Sequence, residues 1–171
     1  MKSKVYDLID TSQKSLLVSM FTFTDKEAAR KLALAKARGV KVQVIMDQSS
    51  SGTKYLIKNI LEQCNVPTYI FKKSNAINHN KYMIVDGKKV WVSSMNWTDA
   101  AYHRNCETGV LLYSRAIASY YAIDFMQTAT DIKRLKLYEI DERKKISKAL
   151  AYERKKHQKA LAELKDFKKK K

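Results

Sequence analysis

The stretch of sequence that decides the fold is residues 79–107, HNKYMIVDGKKVWVSSMNWTDAAYHRNCE. Two apolar runs, Tyr82–Val85 and Val90–Val92, flank the dipeptide Asp86-Gly87. An Asp-Gly pair between two such runs is the strongest short-range signal for a β-hairpin, because both residues accept the positive φ of a type I′ turn. We therefore predict two antiparallel strands joined by a two-residue turn.

The register of this hairpin brings four polar side chains together. With a two-residue turn, His79 lies opposite Ser94 and Lys81 lies opposite Val92. Asn96 follows diagonally, two residues beyond Ser94. Because side chains alternate between the two faces of a strand, the four polar residues project from one face. Polar groups crowded at a strand end are poor core material, so the register predicts a functional site there.

These residue types suit the cleavage of a phosphodiester. The reaction needs a nucleophile, cationic and amide donors for the non-bridging oxygens, and an acid for the leaving oxygen. A neutral imidazole, with a pKa near ~6.5, can attack phosphorus at neutral pH, and no spacing here indicates a metal or cofactor site. We assign His79 as the nucleophile and Lys81 as the fixed charge, with Ser94 and Asn96 as further donors. Glu107 is the candidate that orients the His79 ring.

The same residues carry a family signature. His79 to Asp86 reads H-x-K-x-x-x-x-D, and Ser93 to Asn96 matches the G-S-x-N that follows it, with serine in place of the glycine. Asn105-Cys106-Glu107 matches the acidic position further downstream. On these motifs the chain resembles the phospholipase D superfamily. Over about residues 5–130 it is similar to the single-signature Nuc-type bacterial endonucleases of that superfamily.

The resemblance implies an α/β fold, a mixed sheet flanked by helices, and a phosphohistidine mechanism. Two signature copies build one active site in the family, so a chain with one copy is expected to form a homodimer. One His79 would attack phosphorus and the other would protonate the leaving oxygen. Lys81 and Asn96 of both protomers would hold the phosphate, assisted by Ser94. Asp86 counts among the catalytic candidates, although Asp before Gly is also what a type I′ turn prefers.

Four further residues are candidates for substrate binding. Lys72 and Lys73 precede the hairpin and would extend a track of positive charge for phosphates. Arg104 would contact a phosphate, and Trp97, directly after Asn96, would stack on a base. The alternatives are solvated side chains for the three cations and a packing role for Trp97.

The segments before the hairpin alternate between helical and extended patterns. Thr24 and Glu27 form a predicted capping box that opens a helix, and Gly39 ends it. Two successive β-α-β units indicate an α/β sheet. Strands are predicted over 15–23, 40–46 and 68–71, and helices around 5–9, over 24–38 and over 54–63, and an apolar run follows over 108–113.

The charge distribution divides the chain at residue 130. The formal net charge is +17, and residues 131–171 hold 16 basic and 7 acidic residues, about half of the excess. Such an excess implies a polyanionic partner or an anionic surface. We predict a catalytic domain over 1–130 and a basic helical tail over 131–171 that binds nucleic acid or lies on an anionic membrane. The alternative for the tail is a solvated helical extension.

Three functional classes remain open. A metal-independent nuclease acting on DNA or RNA is favoured by the charge and the single signature. A phospholipase or phosphatidyltransferase would use the same chemistry on lipid headgroups. A non-catalytic nucleic-acid-binding module is disfavoured because all the catalytic residue types are intact. The compartment is not assigned: an exported or periplasmic protein and half of a longer two-signature protein both stay open, because family members usually carry a further strand, often after an export signal, before the first helix.

Overall fold

A computed structural model describes residues 1–49 and 53–169 of the chain. The sheet is six-stranded and mixed, with the strand order β3-β2-β1-β4-β5-β6. The predicted α/β fold with a mixed sheet, flanking helices and a helical C-terminal extension is confirmed. The elements in order are α1 (Lys2–Asp10), β1 (Ser15–Met20), α2 (Lys26–Ala37), β2 (Lys41–Asp47), α3 (Thr53–Gln63), β3 (Thr68–Phe71), β4 (Lys81–Val85), β5 (Lys89–Ser93), α4 (Asp99–His103), β6 (Gly109–Tyr113) and α5 (Arg115–Lys169).

The sheet has a parallel half and an antiparallel half. β1, β2 and β3 are parallel, whereas β4, β5 and β6 each run antiparallel to their neighbours. Alternate residues such as Val18 and Val44 form one buried face with α1, α2 and α3. Ile45 and Ile84 belong to the other face, where Phe125 of α5 packs. Both faces are therefore covered, as the apolar runs in the strand sequences require.

The hairpin forms where it was predicted, but its turn is longer. Val85 pairs with Lys89, so the connection contains Asp86, Gly87 and Lys88. Asp86 and Gly87 adopt φ angles of 55° and 63°, as the Asp-Gly signal requires. The N–H of Lys88 donates to the carbonyl of Val85 at 3.1 Å. The predicted two-residue turn is wrong because the turn also contains Lys88. The Asp-Gly preference indicates where the chain turns but does not specify how many residues the turn contains.

The longer turn shifts the predicted register by one residue. Continued along the strands, the observed pairing places Lys81 opposite Ser93 instead of Val92. β4 begins at Lys81, so His79 lies in the preceding loop and does not face Ser94 across a ladder. The polar residues therefore meet at the ends of strands, and His79 and Ser94 are not partners in the hairpin ladder.

The N-terminus of α2 is capped one residue later than predicted. Asp25, not Thr24, accepts hydrogen bonds from the backbone N–H groups of Glu27 at 2.9 Å and Ala28 at 3.1 Å. A carboxylate satisfies the free N–H groups of the first turn and interacts favourably with the helix dipole. Gly39, with φ of +92°, follows the end of the helix as predicted.

The described chain forms two compact units. The first is Met1–Ile132, and the second begins at Lys133 and is helical to Lys169. The sheet and the candidate catalytic residues belong to the first unit. Among the residues that the structure describes, no helix combines the length and the apolar character needed to cross a bilayer.

Asp86 fastens the hairpin turn to the start of β1. Its carboxylate accepts backbone N–H groups from Gln13, Lys14 and Ser15, the shortest at 2.7 Å from Lys14. Its own N–H donates to the carbonyl of Ser15 at 2.8 Å. Burial opposes ionisation of this carboxyl, but the three N–H donors outweigh burial, and the pKa of Asp86 lies below its usual value.

Asp86→Asn should lower the free energy of unfolding by about 1 kcal/mol at neutral pH, because an amide offers one acceptor oxygen and no charge. The folded pKa of Asp86 is below its unfolded value of ~3.9, so the carboxylate stabilises the fold above that value. This contribution is lost as the pH falls through the folded pKa. In urea unfolding, the difference between wild type and variant should shrink below about pH 4, and an undiminished difference there would contradict the role of the charge.

Candidate active site

The candidate catalytic groups lie at one edge of the sheet. The carboxyl ends of β1, β2 and β3 reach this edge together. β4 runs the opposite way and begins there, with Lys81 paired to Met20 at the end of β1. β5 ends and β6 begins at the same edge, where Ser93 pairs with Gly109. The loops that carry the remaining candidates therefore leave the sheet side by side.

His79 is exposed in the loop that leads into β4. Its ring packs against Phe21, which follows β1, with the ring centroids 4.7 Å apart and the planes inclined by 60°. The N–H of Phe21 donates to the carbonyl of Asn80 at 2.8 Å, which ties the loop to the end of β1. The imidazole thus packs against the Phe21 ring and remains accessible to solvent and substrate.

Lys81 is the buried cation of the site, with 9% of its surface exposed. Its Nζ donates to the carbonyl of His79 at 2.9 Å and lies 5.1 Å from the centroid of the Phe21 ring. Burial lowers the pKa of the Lys81 ammonium, and the nearby negative charge of Glu107 offsets part of that effect. A positive charge is therefore held next to the candidate nucleophile, in a place where water screens it little.

Glu107 and Ser94 form a hydrogen-bonded pair on the other side of the site. The hydroxyl of Ser94 donates to the Glu107 carboxylate, and Asn105 Nδ2 donates to the same carboxylate at 3.1 Å. The N–H of Thr108 donates to Ser94 Oγ at 3.0 Å. Because the hydrogen bonds of Glu107 in the described part of the chain go to Ser94 and Asn105, its role in orienting His79 stays a prediction.

Asn96 has a fixed orientation. Its Oδ1 accepts the backbone N–H of Thr22 at 3.1 Å, just beyond the end of β1. This contact occupies the carbonyl oxygen of the side chain and presents the amide NH₂ as the group available to an incoming oxygen. The predicted donor role of Asn96 therefore agrees with the way its side chain is held.

Asp86 lies at the other end of β4 from this cluster. Asp86 is five positions after Lys81, which corresponds to roughly 16 Å along an extended strand. Its carboxylate contacts the loop before β1, as described above. Asp86 is therefore a structural residue and does not belong to the site, although it closes the same signature. Within residues 1–49 and 53–169, no group of three or more His, Cys, Asp or Glu side chains is placed to hold a metal ion.

The candidate substrate-binding cations are exposed. Lys72 and Lys73 follow β3, which ends at the same edge as the site. Three strand spacings, about 14 Å, separate β3 from β4. Arg104 follows α4 and lies 3.6 Å from Asp99 in an exposed ion pair. Substrate binding by the two exposed lysines stays a prediction, and Arg104 already has a carboxylate partner.

Trp97 does not bind substrate, and that prediction is wrong. Its side chain is completely buried and packs edge-on against Phe23, with ring centroids 4.9 Å apart. Its backbone carbonyl accepts the N–H groups of Thr24 and Asp25. A ring enclosed in the core cannot stack on a base, so Trp97 supports the loop that carries Asn96.

Sequence reasoning did not identify Phe21 and Thr22 as parts of the site. Phe21 contacts both the His79 ring and the Lys81 ammonium, and Thr22 holds Asn96. The only signal in the sequence is their position inside the stretch that resembles the family. An aromatic residue directly after a buried strand otherwise looks like part of the core, and a backbone N–H leaves no trace in the sequence.

Comparison with known proteins shows the family of this chain. Residues 5–129 match a family model described as "Cardiolipin synthase, PLD-like domain". The chain belongs to this family. Its membership of the phospholipase D superfamily accounts for the signature and for the position of the signature at a strand end.

Relatives within the phospholipase D superfamily include enzymes named for lipid substrates. A "Phospholipase D" of Rickettsia bellii is 32% identical over 117 residues, which are 68% of this chain and 58% of that protein. A "Mitochondrial cardiolipin hydrolase" of Xenopus tropicalis is 31% identical over 123 residues, or 72% of this chain and 58% of that protein. The chain thus spans less than two thirds of the length of these relatives.

A solved structure with the same phospholipase D-like fold is that of Nuc from Salmonella typhimurium, described as a phospholipase D family member. The two chains are 26% identical, and the TM-score is 0.69. The match covers 74% of this chain and 85% of Nuc. The expected similarity to the Nuc-type fold is confirmed.

The coupling of Lys81 to Glu107 can be measured by titration. The ¹³Cε resonance of Lys81 should titrate at a lower pH than those of exposed lysines, whose pKa is near ~10.4, because burial favours the neutral amine. Glu107→Gln removes the charge that favours the ammonium, so the midpoint of Lys81 should fall further. Glu62→Gln, which removes the partner of Lys58 on α3, is the matched control and should leave Lys81 unchanged. An unshifted Lys81 midpoint in Glu107→Gln would rule out the coupling.

Proposed function

We propose that the chain is a metal-independent phosphodiesterase that hydrolyses DNA or RNA through a phosphohistidine at His79. The observation that carries this proposal is the assembly of imidazole, buried ammonium and oriented amide at one sheet edge. Each group has a separate contact that fixes it. The Phe21 ring packs against the His79 imidazole, the His79 carbonyl accepts from the Lys81 ammonium, and the Thr22 N–H donates to the Asn96 side chain. This set can attack phosphorus and neutralise its non-bridging oxygens.

The proposed reaction has two displacements. The neutral His79 imidazole attacks phosphorus, the N–P bond forms, and the bond to the leaving oxygen breaks as that oxygen takes a proton. Water then attacks the phosphohistidine, gives up a proton, and restores the free imidazole. Lys81 and the Asn96 amide stabilise the charge that develops on the non-bridging oxygens in both steps.

Among the side chains that the structure describes, one protomer brings one histidine, His79, to this site. A single imidazole cannot be both the nucleophile and the acid in the same step. His103 lies 3.8 Å from Asp99 on exposed α4 and is not one of the groups assembled around His79. We therefore include a homodimer in the proposal, with His79 of the second protomer as the acid.

Nucleic acid is the favoured substrate on electrostatic grounds. The chain carries a net charge of +17, and a polymer with one phosphate per nucleotide can use charge well away from the reacting bond. Lys72 and Lys73 lie exposed at the edge that holds the site. The basic tail, residues 131–171, would add long-range attraction to the polymer or to an anionic membrane. A single small headgroup would engage few of these charges.

A phospholipid headgroup is the second candidate, favoured by the names of the relatives. Both the Rickettsia and the Xenopus proteins are named for lipid cleavage. The attacking and stabilising groups would be the same, since both substrates are phosphodiesters. The difference lies in what flanks the phosphate, so substrate assays separate the two candidates.

The test is a substrate panel in excess EDTA: single-stranded DNA, duplex DNA, RNA, and vesicles of phosphatidylcholine and of cardiolipin. We expect cleavage of at least one nucleic acid, no cleavage by His79→Ala, and acid-labile phosphate on His79 of the wild type. Cleavage of the vesicles alone would favour the lipid enzyme. Loss of all activity in EDTA, restored by one divalent ion, would contradict the mechanism.

The shared site is tested by subunit mixing. Adding excess His79→Ala protein to a constant amount of wild type should reduce activity as subunits exchange, because each mixed dimer lacks either nucleophile or acid. The wild type should show a bell-shaped pH profile with two apparent pKa values that belong to the histidine pair. A fully active monomer in sedimentation would show that the acid comes from elsewhere.

A further inference from the structure

A buried carboxylate behind the His79 loop has no part in the proposed reaction. Asp47 is the last residue of β2, and its side chain is completely buried. Its Oδ2 accepts the backbone N–H of Asn78 at 2.6 Å. Its Oδ1 accepts the N–H of Ser49 at 2.7 Å and also the Ser49 hydroxyl. A buried charge is costly unless hydrogen bonds compensate it, so this arrangement calls for an explanation.

The residue that Asp47 holds directly precedes the candidate nucleophile. Asn78 is itself 4% exposed, and its side chain exchanges hydrogen bonds with the Ser19 hydroxyl of β1 at 3.1 and 3.3 Å. Its Oδ1 also accepts Asn80 Nδ2 at 2.9 Å. The residues on both sides of His79 are therefore connected to one another and to the sheet.

These contacts leave the loop little freedom at His79. On the N-terminal side, Asn78 is bound to β2 through Asp47 and to β1 through Ser19. On the C-terminal side, the carbonyl of Asn80 accepts the N–H of Phe21. His79 itself makes its ring contact with Phe21 but is otherwise exposed. An exposed nucleophile on a loop keeps a defined position only if the backbone beside it is fixed.

We propose that Asp47 is a positioning residue, whose buried carboxylate fixes the backbone at Asn78 and thereby the place of the His79 ring relative to the phosphate. The expected effect on catalysis rests on the proposed function, whereas the expected effect on the position of the His79 ring does not. The carboxylate touches neither the ring nor the other groups that would bind phosphate. Its loss should therefore affect the attack more than substrate binding.

The variant that tests this is Asp47→Asn, which keeps the size of the side chain and removes its charge. Thr68→Val is the matched control, because it removes a buried hydrogen bond, Thr68 Oγ1 to the carbonyl of Val66, on neighbouring β3 away from the loop. Two measurements are made on each protein. The first is the ¹H–¹³C spectrum of the histidine rings, and the second is the kcat and KM for a nucleic acid that the wild type cleaves.

Asp47→Asn should shift or broaden the ring signal of His79 and leave those of His103 and His157 unchanged. We expect kcat to fall by about 10²-fold, the scale of a misplaced reacting group, with KM within about twofold of wild type. Thr68→Val should change neither the His79 signal nor kcat. An unchanged His79 signal in folded Asp47→Asn overturns the proposal, as does an equal change in all three histidines.

The test still gives a result if Asp47→Asn does not fold or if the wild type cleaves no substrate. If Asp47→Asn does not fold, Ser19→Ala removes the hydroxyl that holds Asn78 and should perturb the His79 signal alone; an unchanged signal there overturns the proposal. If the wild type cleaves no substrate in the panel, the proposed function fails. The histidine spectrum still decides whether Asp47 positions the ring, so the two failures are distinguishable.

Discussion

The antiparallel pairing of β4 with β1 decides where every candidate catalytic group lies. Because Lys81 pairs with Met20, the amino end of β4 meets the carboxyl ends of the parallel strands. Reversal of β4 would carry His79 and Lys81 to the opposite edge, far from the Thr22 N–H that holds Asn96. The hairpin then returns β5 to the same edge and delivers Ser94 and Asn96 beside them. A single strand direction thus assembles residues that are distant in the sequence.

The two ends of the signature illustrate how one motif serves two purposes. His79 and Lys81 lie where β4 begins, and Asp86 lies where it ends, roughly 16 Å away by strand rise. The carboxylate of Asp86 accepts three N–H groups from the loop before β1, so it fixes the far end of the same strand pair. The eight residues of the signature are therefore the five residues of β4 with His79 and Asn80 before them and Asp86 after them. The signature records a structural requirement as well as a catalytic one.

The sequence predicted the elements and the composition of the site better than the contacts within it. Apolar alternation and Asp-Gly located β4 and β5, because these signals are local. The register was one residue wrong because the turn contains Lys88 in addition to Asp86 and Gly87, and an Asp-Gly pair does not specify the length of the turn. The prediction that Trp97 binds substrate was wrong for a different reason. The sequence shows that Trp97 follows Asn96, whereas its packing on Phe23 depends on the folded chain. The hydrogen bonds that the Asp47 and Asn96 side chains accept from backbone N–H groups have no sequence signature.

The environment of Lys81 supports the proposal that a phosphodiester binds at this edge. Burial disfavours its ammonium, and in the described part of the chain one carbonyl, one aromatic face and the charge of Glu107 offset part of this effect. An ammonium has three N–H donors, and a phosphate group brings several strong acceptors at once. The oxygens of a bound phosphodiester would therefore replace the hydrogen bonds to water that the Lys81 ammonium lost on folding. Asn96 would donate to the same phosphate group. The burial of Lys81 in the free protein thus supports the proposed phosphate binding, because the cost of removing water from the ammonium is met on folding, before the anion arrives.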